Sequence, residues 1–486
     1  MIKSLKSHIS KNYTIYIIAL LHSFLTFYTD PLVFRGNRTE NIILYIFLKI
    51  ILFITLCLFW YFILRKNQKT EKIFLYSIPY FLILLTKFFT AHNMHLVGDE
   101  LNIFNWVVNF NIYPAHFTYL TGIVYAVSLM ILPFQLGTVV VKIFLQSILC
   151  GYCIYKFKDY YKTNWSYLIY LLFLIPIVMD NGILIHRMQF YGLLYLFIIV
   201  KLVFDYKINQ KFDLKQLLLL MLGFAILAIW RKEGIYLLVF APLIICSVYK
   251  IKNFKQIAKI FMAFLIILLL VELPQMINKT QSFTEEDTHT YNHWFVNMCR
   301  EGLDKTKYPE QMKIIDKYVS LDDVDYINRV LKDRNYEDEY IAWKEGYVGI
   351  RENYTKEDVA NYKDAVKYLI IHEPIIFLKT RIGTWKYASG FQNKDSFEST
   401  IFLLSNLNVA IISLGILFIY SIIKKKYAYL FISAGLLLNT TITLFFAPAA
   451  YFKYYYHSYL IGMFFVIMLL IKVIMKLSIK VKLLKS

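Results

Sequence analysis

Acidic residues are scarce over most of this chain. Of 486 residues only 33 are Asp or Glu, and 23 of those 33 fall in one stretch, 272–400, which leaves 10 for everything else. Arginine is rare too, with ten residues against 43 lysines, so each Arg stands out. Five cysteines are too few and too scattered for a disulfide framework, since Cys57, Cys150, Cys153 and Cys246 lie in apolar runs and Cys299 is alone in the acidic stretch. Cys150 and Cys153 form a CxxC, but without a second pair in an apolar helix it reads as packing. No G-x-G-x-x-G, Walker loop or HExxH is present, and no 20–50-residue repeat or low-complexity tract stands out.

Apolar residues are what the chain has. They make up 58% of it, aromatics 18%, and the mean hydropathy is +0.51, which excludes an ordinary soluble globule. Apolar runs near 13–29, 42–64, 74–90, 115–135, 136–155, 165–179, 189–206, 214–230, 234–249, 256–272, 401–422, 427–447 and 457–476 are mostly long enough for a bilayer crossing, which takes ~20 helical residues. The fold class expected is an all-α polytopic membrane protein with about 12–13 membrane helices. The first run follows Lys3, Lys6 and Lys11 without a small-residue cleavage site, the pattern of a retained signal anchor.

Charge orients these segments. The lysine-rich pieces 65–72, 156–162, 206–215, 249–255, 424–426 and the C-terminal tail are expected in the cytoplasm, with both termini. Loops 91–113 and 273–400 are then outside. Thirteen segments cannot join two inside termini, so one does not cross, and 115–135, broken at Pro133, is the expected exception. The net charge of +20 is no sign of nucleic acid, because the excess lysines sit in these short loops, where they signal topology or meet anionic lipid headgroups. No cytoplasmic segment exceeds about a dozen residues, so a nucleotide-sugar domain has nowhere to fold, and any donor must come through the membrane.

The chain divides by this reading into an N-terminal membrane module, 1–272, an extracytoplasmic helical domain, 273–400, and C-terminal membrane helices, 401–486. In the domain, Thr284 before Glu285 and Glu286, Ser320 before Asp323 and Thr355 before Asp358 are helix-start patterns. Val359, Tyr362, Val366, Leu369 and Ile370 share a helix face. Pro374 ends that helix and opens a second, 375–389, whose aliphatics, Trp385 and basic residues suit a membrane interface.

The densest chemical signal is HLVGDELNIFNW, 95–106, where Asp99 and Glu100 form the only adjacent acidic pair outside 272–400. An Asp-Glu pair in a first outer loop, followed by an apolar helix with Phe104 and Trp106 and then by Tyr113-Pro114-Ala115-His116, resembles the GT-C superfamily of integral membrane glycosyltransferases. That superfamily includes protein O-mannosyltransferases, aminoarabinose transferases and oligosaccharyltransferases. The likeness covers the architecture of the whole chain but few motif residues, and the large outer domain lies between the tenth and eleventh segments, unlike the O-mannosyltransferase pattern. The resemblance implies a polyprenyl-phosphate sugar as donor, a glycan, lipid or protein acceptor in the cell envelope, and chemistry on the outer face. It implies no nucleic-acid partner.

Such transfer needs a base for the acceptor hydroxyl, whereas the phosphate leaves as an anion and needs no acid. Asp99 is the candidate base, in an inverting reaction, and Glu100 either holds the acceptor or helps bind a divalent cation, Mg or Mn. Asp99 can equally be the N-cap of a helix 100–109, and the two roles are compatible. For the donor phosphate the candidates are Arg187 beside His186, Arg231 with Lys232, and Arg381 near Lys379, because a guanidinium fork fits phosphate oxygens. Arg231 can instead be an interfacial anchor balanced by Glu233 beside Trp230. Substrate-binding candidates are His116, Asp180, Tyr455 and His457; Asp180 can pair with Arg187, and the tyrosines of 449–459 can form an aromatic belt. His92 and His95 lack a third ligand for zinc. Two alternatives remain: a repeat polymerase working on lipid-linked oligosaccharides, and a flippase or other transporter, which would carry charges near the midplane and broken helices rather than charges at helix ends.

Overall fold

A computed structural model describes residues 2–36, 40–64, 67–91, 99–113, 118–184, 186–211, 213–278, 288–330, 349–351, 353–389, 405–447 and 450–485. Among them the regular elements are helices, with one isolated antiparallel bridge between Val319 and Ile350. The first half holds α1 Ile2–Val33, α2 Ile42–Leu64, α3 Gln68–Thr90, α4 Asp99–Val108, α5 Tyr119–Ile131, α6 Gly137–Tyr161, α7 Tyr170–Leu174, α8 Pro176–Ile183, α9 Arg187–Lys207, α10 Leu214–Trp230, α11 Leu237–Val248 and α12 Phe254–Asn278. There follow α13 His289–Arg300, α14 Pro309–Ile315, α15 Leu321–Val330, α16 Lys356–His372, α17 Pro374–Ala388, α18 Leu407–Ile423, α19 Tyr427–Phe446 and α20 Tyr456–Lys485.

Among the described residues eight helices are long and apolar enough to cross a membrane, or nine if the bent pair 164–174 and 176–183 counts as one span. This is the architecture of a polytopic α-helical membrane protein. The expected thirteen segments shrink because several apolar runs are interrupted. Run 165–179 starts as a 3-10 helix and bends by 65° before Pro176, which opens α8 because its ring fits the first helical turn but cannot continue α7. Run 234–249 yields only the twelve residues of α11 after a 3-10 turn over Lys232–Tyr236. Run 115–135 yields the thirteen residues of α5, ~20 Å of helix against a hydrocarbon core of ~30 Å.

The chain forms two compact units that divide it differently from the expected domains. One comprises Met1–Thr280, Ser413–Gly435 and Leu460–Ser486; the other comprises Gln281–Ile412 and Leu436–Tyr459. In the first, α3 packs along α6 in antiparallel sense. Gly151 makes that approach possible: a Cβ there would meet Ile73 O and Ser77 Oγ at 2.3 Å. Small residues at such crossings let backbones come close where lipid supplies no hydrophobic drive. Cys150 and Cys153 are buried on the same helix.

The second unit has its own core, in which Trp294, Phe295, Tyr318, Val324, Tyr362 and Leu369 are buried. Its helix starts follow the sequence. Thr355 and Asp358 exchange side-chain and backbone hydrogen bonds in a capping box, an arrangement worth ~1 kcal/mol, and the Asp323 N–H donates to Ser320 Oγ at 3.3 Å. On α16 Val359, Tyr362, Val366 and Leu369 are buried, and Ile370 partly so. Pro374 is the first residue of α17. Thr284 lies outside the described residues.

Candidate functional site

Asp99 and Glu100 are the first two residues of α4. The residues before them, 92–98, lie outside the described residues. The Asp99 carboxylate is turned to Arg187, the first residue of α9, with Oδ2 3.4 Å from Nη1 and 3.5 Å from Nη2. Glu100 Oε1 lies 3.4 Å from the same Nη1 and accepts the Arg187 backbone N–H at 3.4 Å. These separations exceed the 2.7–2.9 Å typical of a tight charge-assisted bond, so the guanidinium is shared between two carboxylates and clamped by neither.

The two acids are not equivalent. The Asp99 side chain is 33% exposed and that of Glu100 only 7%. The α4 periodicity explains this, because Glu100 lies on the face that also buries Ile103 and Val107. Glu100 Oε2 accepts the hydroxyl of Tyr125, on α5. Burial pushes the Glu100 carboxyl above the usual carboxylate range, against the pull of Arg187 and the Tyr125 hydroxyl. His186 caps α9, its Nδ1 accepting the Met188 N–H at 3.2 Å, and the same nitrogen is 3.8 Å from Glu100 Oε1.

A buried lysine holds the start of α9 in place. Lys142 Nζ, six residues into α6, donates to the carbonyls of Asn181, at 2.9 Å, and Leu184, and to Gln189 Oε1. Gln189 Nε2 in turn donates to Asn181 Oδ1 at 3.1 Å. The end of α8 and the first turn of α9 are thus tied to one ammonium. Sequence reading passed over Lys142, Tyr125 and Gln189. A lone lysine in the apolar run GTVVVKIFLQ was a legible signal for the first, since charge inside a membrane helix is expensive and kept for a reason. Tyr125 gave none.

The other expected ligands lie elsewhere. Asp180 pairs with Lys87 and not with Arg187. Arg231 is buried and its guanidinium is bound by Glu233, Nε to Oε2 at 3.1 Å and Nη2 to Oε1 at 2.6 Å, while Nη1 points at the sulfur of Met188. It therefore neighbours the Arg187 site with its charge already balanced, and Lys232 beside it is exposed. Trp230 donates from Nε1 to Thr121 Oγ1 at 2.9 Å, a turn of α5 before Tyr125.

Arg381 is 1% exposed inside the second unit, where Nη2 donates to His293 Nδ1 at 2.8 Å and Nη1 faces the carbonyls of Leu444, Phe445 and Ala447 at 3.4 Å each. Tyr455 and His457 are buried in that unit too, Tyr455 edge-on to Trp385 and His457 Nε2 donating to Asn439 Oδ1 at 2.5 Å. Neither forms an exposed belt. His92, His95 and His116 lie outside the described residues.

For a divalent cation the donor set is unsuited. The Arg187 guanidinium already stands between the carboxylates that a Mg or Mn ion would need, and Glu100 is further committed to Tyr125. Among the described residues no group of three His, Cys, Asp or Glu side chains gathers as metal ligands.

A buried ion pair also lies in the first unit. Asp30 Oδ2 pairs with Lys49 Nζ at 2.6 Å and accepts the Tyr45 hydroxyl at 2.5 Å, and Lys49 also donates to Thr26 Oγ1 at 2.6 Å. Lys49 is two turns inside α2, not at its end as the charge pattern led one to expect. No protein-family model, no curated protein and no solved structure matches this chain.

Proposed function

We propose that the protein is an integral membrane glycosyltransferase of the GT-C type, which moves a sugar from a polyprenyl-phosphate donor to an envelope acceptor at the Asp99–Glu100–Arg187 cluster. The observation that carries this reading is one arginine shared at 3.4 Å by an accessible and a buried carboxylate at the start of a short helix. Asp99 takes the acceptor hydroxyl proton as that oxygen bonds to the anomeric carbon. The bond from that carbon to the phosphate oxygen breaks, the electron pair leaves with the phosphate, and the guanidinium of Arg187 offsets the departing charge. Glu100 does not act on the substrate; it holds Arg187 and is itself held by Tyr125. The anomer inverts, because one displacement is made. The active site faces outward and both termini face the cytoplasm, as the lysine pattern implies.

The test is Asp99→Asn, which keeps the shape and removes the base. With a radiolabelled polyprenyl-phosphate sugar and purified protein in detergent, turnover should fall at least ~100-fold while donor binding persists. Near wild-type transfer by the variant would end this reading.

The buried Asp30–Lys49 pair and the 65° break before Pro176 favour a second reading, a transporter of lipid-linked glycan. Proteoliposomes separate the two, since a transporter moves the labelled lipid between leaflets without breaking its sugar–phosphate bond.

A further inference from the structure

An open cleft lies at the far end of the α3–α6 pair from Asp99. Lys72 is fifteen residues before Lys87 on α3, ~22 Å along the helix, and Lys87 bonds Asp180 at the candidate-site end. There a cleft of about 310 Å³ is lined by Lys72, Lys158 and Lys162 against a single acid, Asp159. Its shape is fixed by the chain. Lys162 stops α6 in the left-handed conformation, φ 52°, which turns the backbone so that Thr163 and Asn164 close the cleft. Lys158 is held over the rings of Tyr167 and Tyr76, at 4.6 and 5.4 Å, and donates to the Tyr167 hydroxyl at 2.8 Å.

We propose that this cleft binds the phosphate of an anionic phospholipid headgroup. Three ammonium groups, that of Lys162 also paired with Asp159 at 2.9 Å, the Thr163 hydroxyl and the Asn164 amide supply donors for phosphate oxygens, and the charge balance of three lysines to one aspartate favours an anion. Its surroundings favour a lipid over a soluble phosphate. Phe74 and Leu75, beside Lys72 on α3, are 43% and 61% exposed, the outward apolar surface acyl chains cover. Tyr160 and Trp165 near it are 40% and 43% exposed, the residue types that aromatic belts present to headgroups. The site also falls in the lysine-rich segments 65–72 and 156–162, expected on the cytoplasmic side, where anionic lipids concentrate. Nothing in this proposal depends on the transferase reading.

Native mass spectrometry of the detergent-solubilised full chain tests it, titrating phosphatidylglycerol against phosphatidylcholine. Each lysine near such a headgroup is worth about fivefold in affinity, so a K72Q/K158Q/K162Q variant should bind phosphatidylglycerol up to about 100-fold more weakly. A K424Q/K425Q/K426Q variant, with equal charge removed from another loop, should bind as wild type does. Asp159→Asn removes the one opposing charge and should tighten binding, which decides the matter if the triple variant fails to fold. Equal binding of the two lipids by wild type, a triple variant as tight as wild type, or an Asp159→Asn variant with unchanged affinity would overturn the proposal. Displacement of the lipid by millimolar inorganic phosphate would overturn the choice of a lipid over a soluble anion.

Discussion

Tyr125 gives its hydroxyl hydrogen to Glu100 Oε2, and the two residues are 1% and 5% exposed. A buried acid next to an accessible one is what divides the labour of the pair, and the tyrosine helps to hold Glu100 inward. Tyr125→Phe should therefore cost ~1–3 kcal/mol, the penalty for stripping a buried polar group of its partner, whereas Glu100→Gln keeps an acceptor for Tyr125 and should cost less. Thermal unfolding in detergent reads the difference; a Phe variant as stable as wild type would show that the contact holds nothing.

Removing Arg187 should make stability depend on pH. Burial already raises the Glu100 carboxyl, and Arg187 is the charge that most opposes the shift. Without it the folded protein holds the proton to still higher pH than the unfolded chain does. The unfolded state then binds fewer protons across that window, so stability is intact below the ordinary carboxylate range and is lost as pH rises through the folded value. In Arg187→Ala the melting temperature should drop as pH rises above the ordinary carboxylate range, by more than in wild type. Identical pH profiles would remove Arg187 from the charge balance of Glu100.

His293 acts in the opposite sense in the second unit. Burial first, then the charges of Arg381 and Arg300, hold its imidazole well below the usual range, and Arg381 donates to its Nδ1. Below about pH 6.5 the unfolded chain takes a proton that the folded domain refuses, so stability present above that pH is lost as pH falls. His293→Gln, whose amide oxygen can still accept from Arg381, should flatten the acid limb of the stability curve by about one proton. Calorimetry between pH 7 and pH 5 measures it, and an unchanged slope would free His293 of this role.

The lysine asymmetry predicts sidedness. With the native cysteines replaced, Asn102→Cys and Asp322→Cys should react with an impermeant maleimide in intact cells, and Lys425→Cys only after lysis. Labelling of Lys425→Cys alone in intact cells would put the proposed site on the wrong side.

What the sequence determined by itself was local in origin. Apolar runs set the membrane class. The capping box of Thr355 and Asp358, the Pro374 start of α17 and the buried stripe of α16 were readable because each depends on residues within a turn or two. The Asp99–Glu100 pair was visible as well, as was the arginine at 187. Their pairing was not. Glu100 finds Tyr125 and Arg187, Asp180 finds Lys87 across 93 residues, and Lys142 finds carbonyls at the end of α8, all through helix register that hydropathy does not record. Arg381 made the same point from the other side. On paper it is a cation on an interfacial helix, but the face of α17 that carries it packs inward, and the cost of burying a charge is met by His293 and three carbonyls. A sequence states which groups must be satisfied; only the tertiary arrangement decides by whom, because the partners are brought together by packing between segments that are distant along the chain.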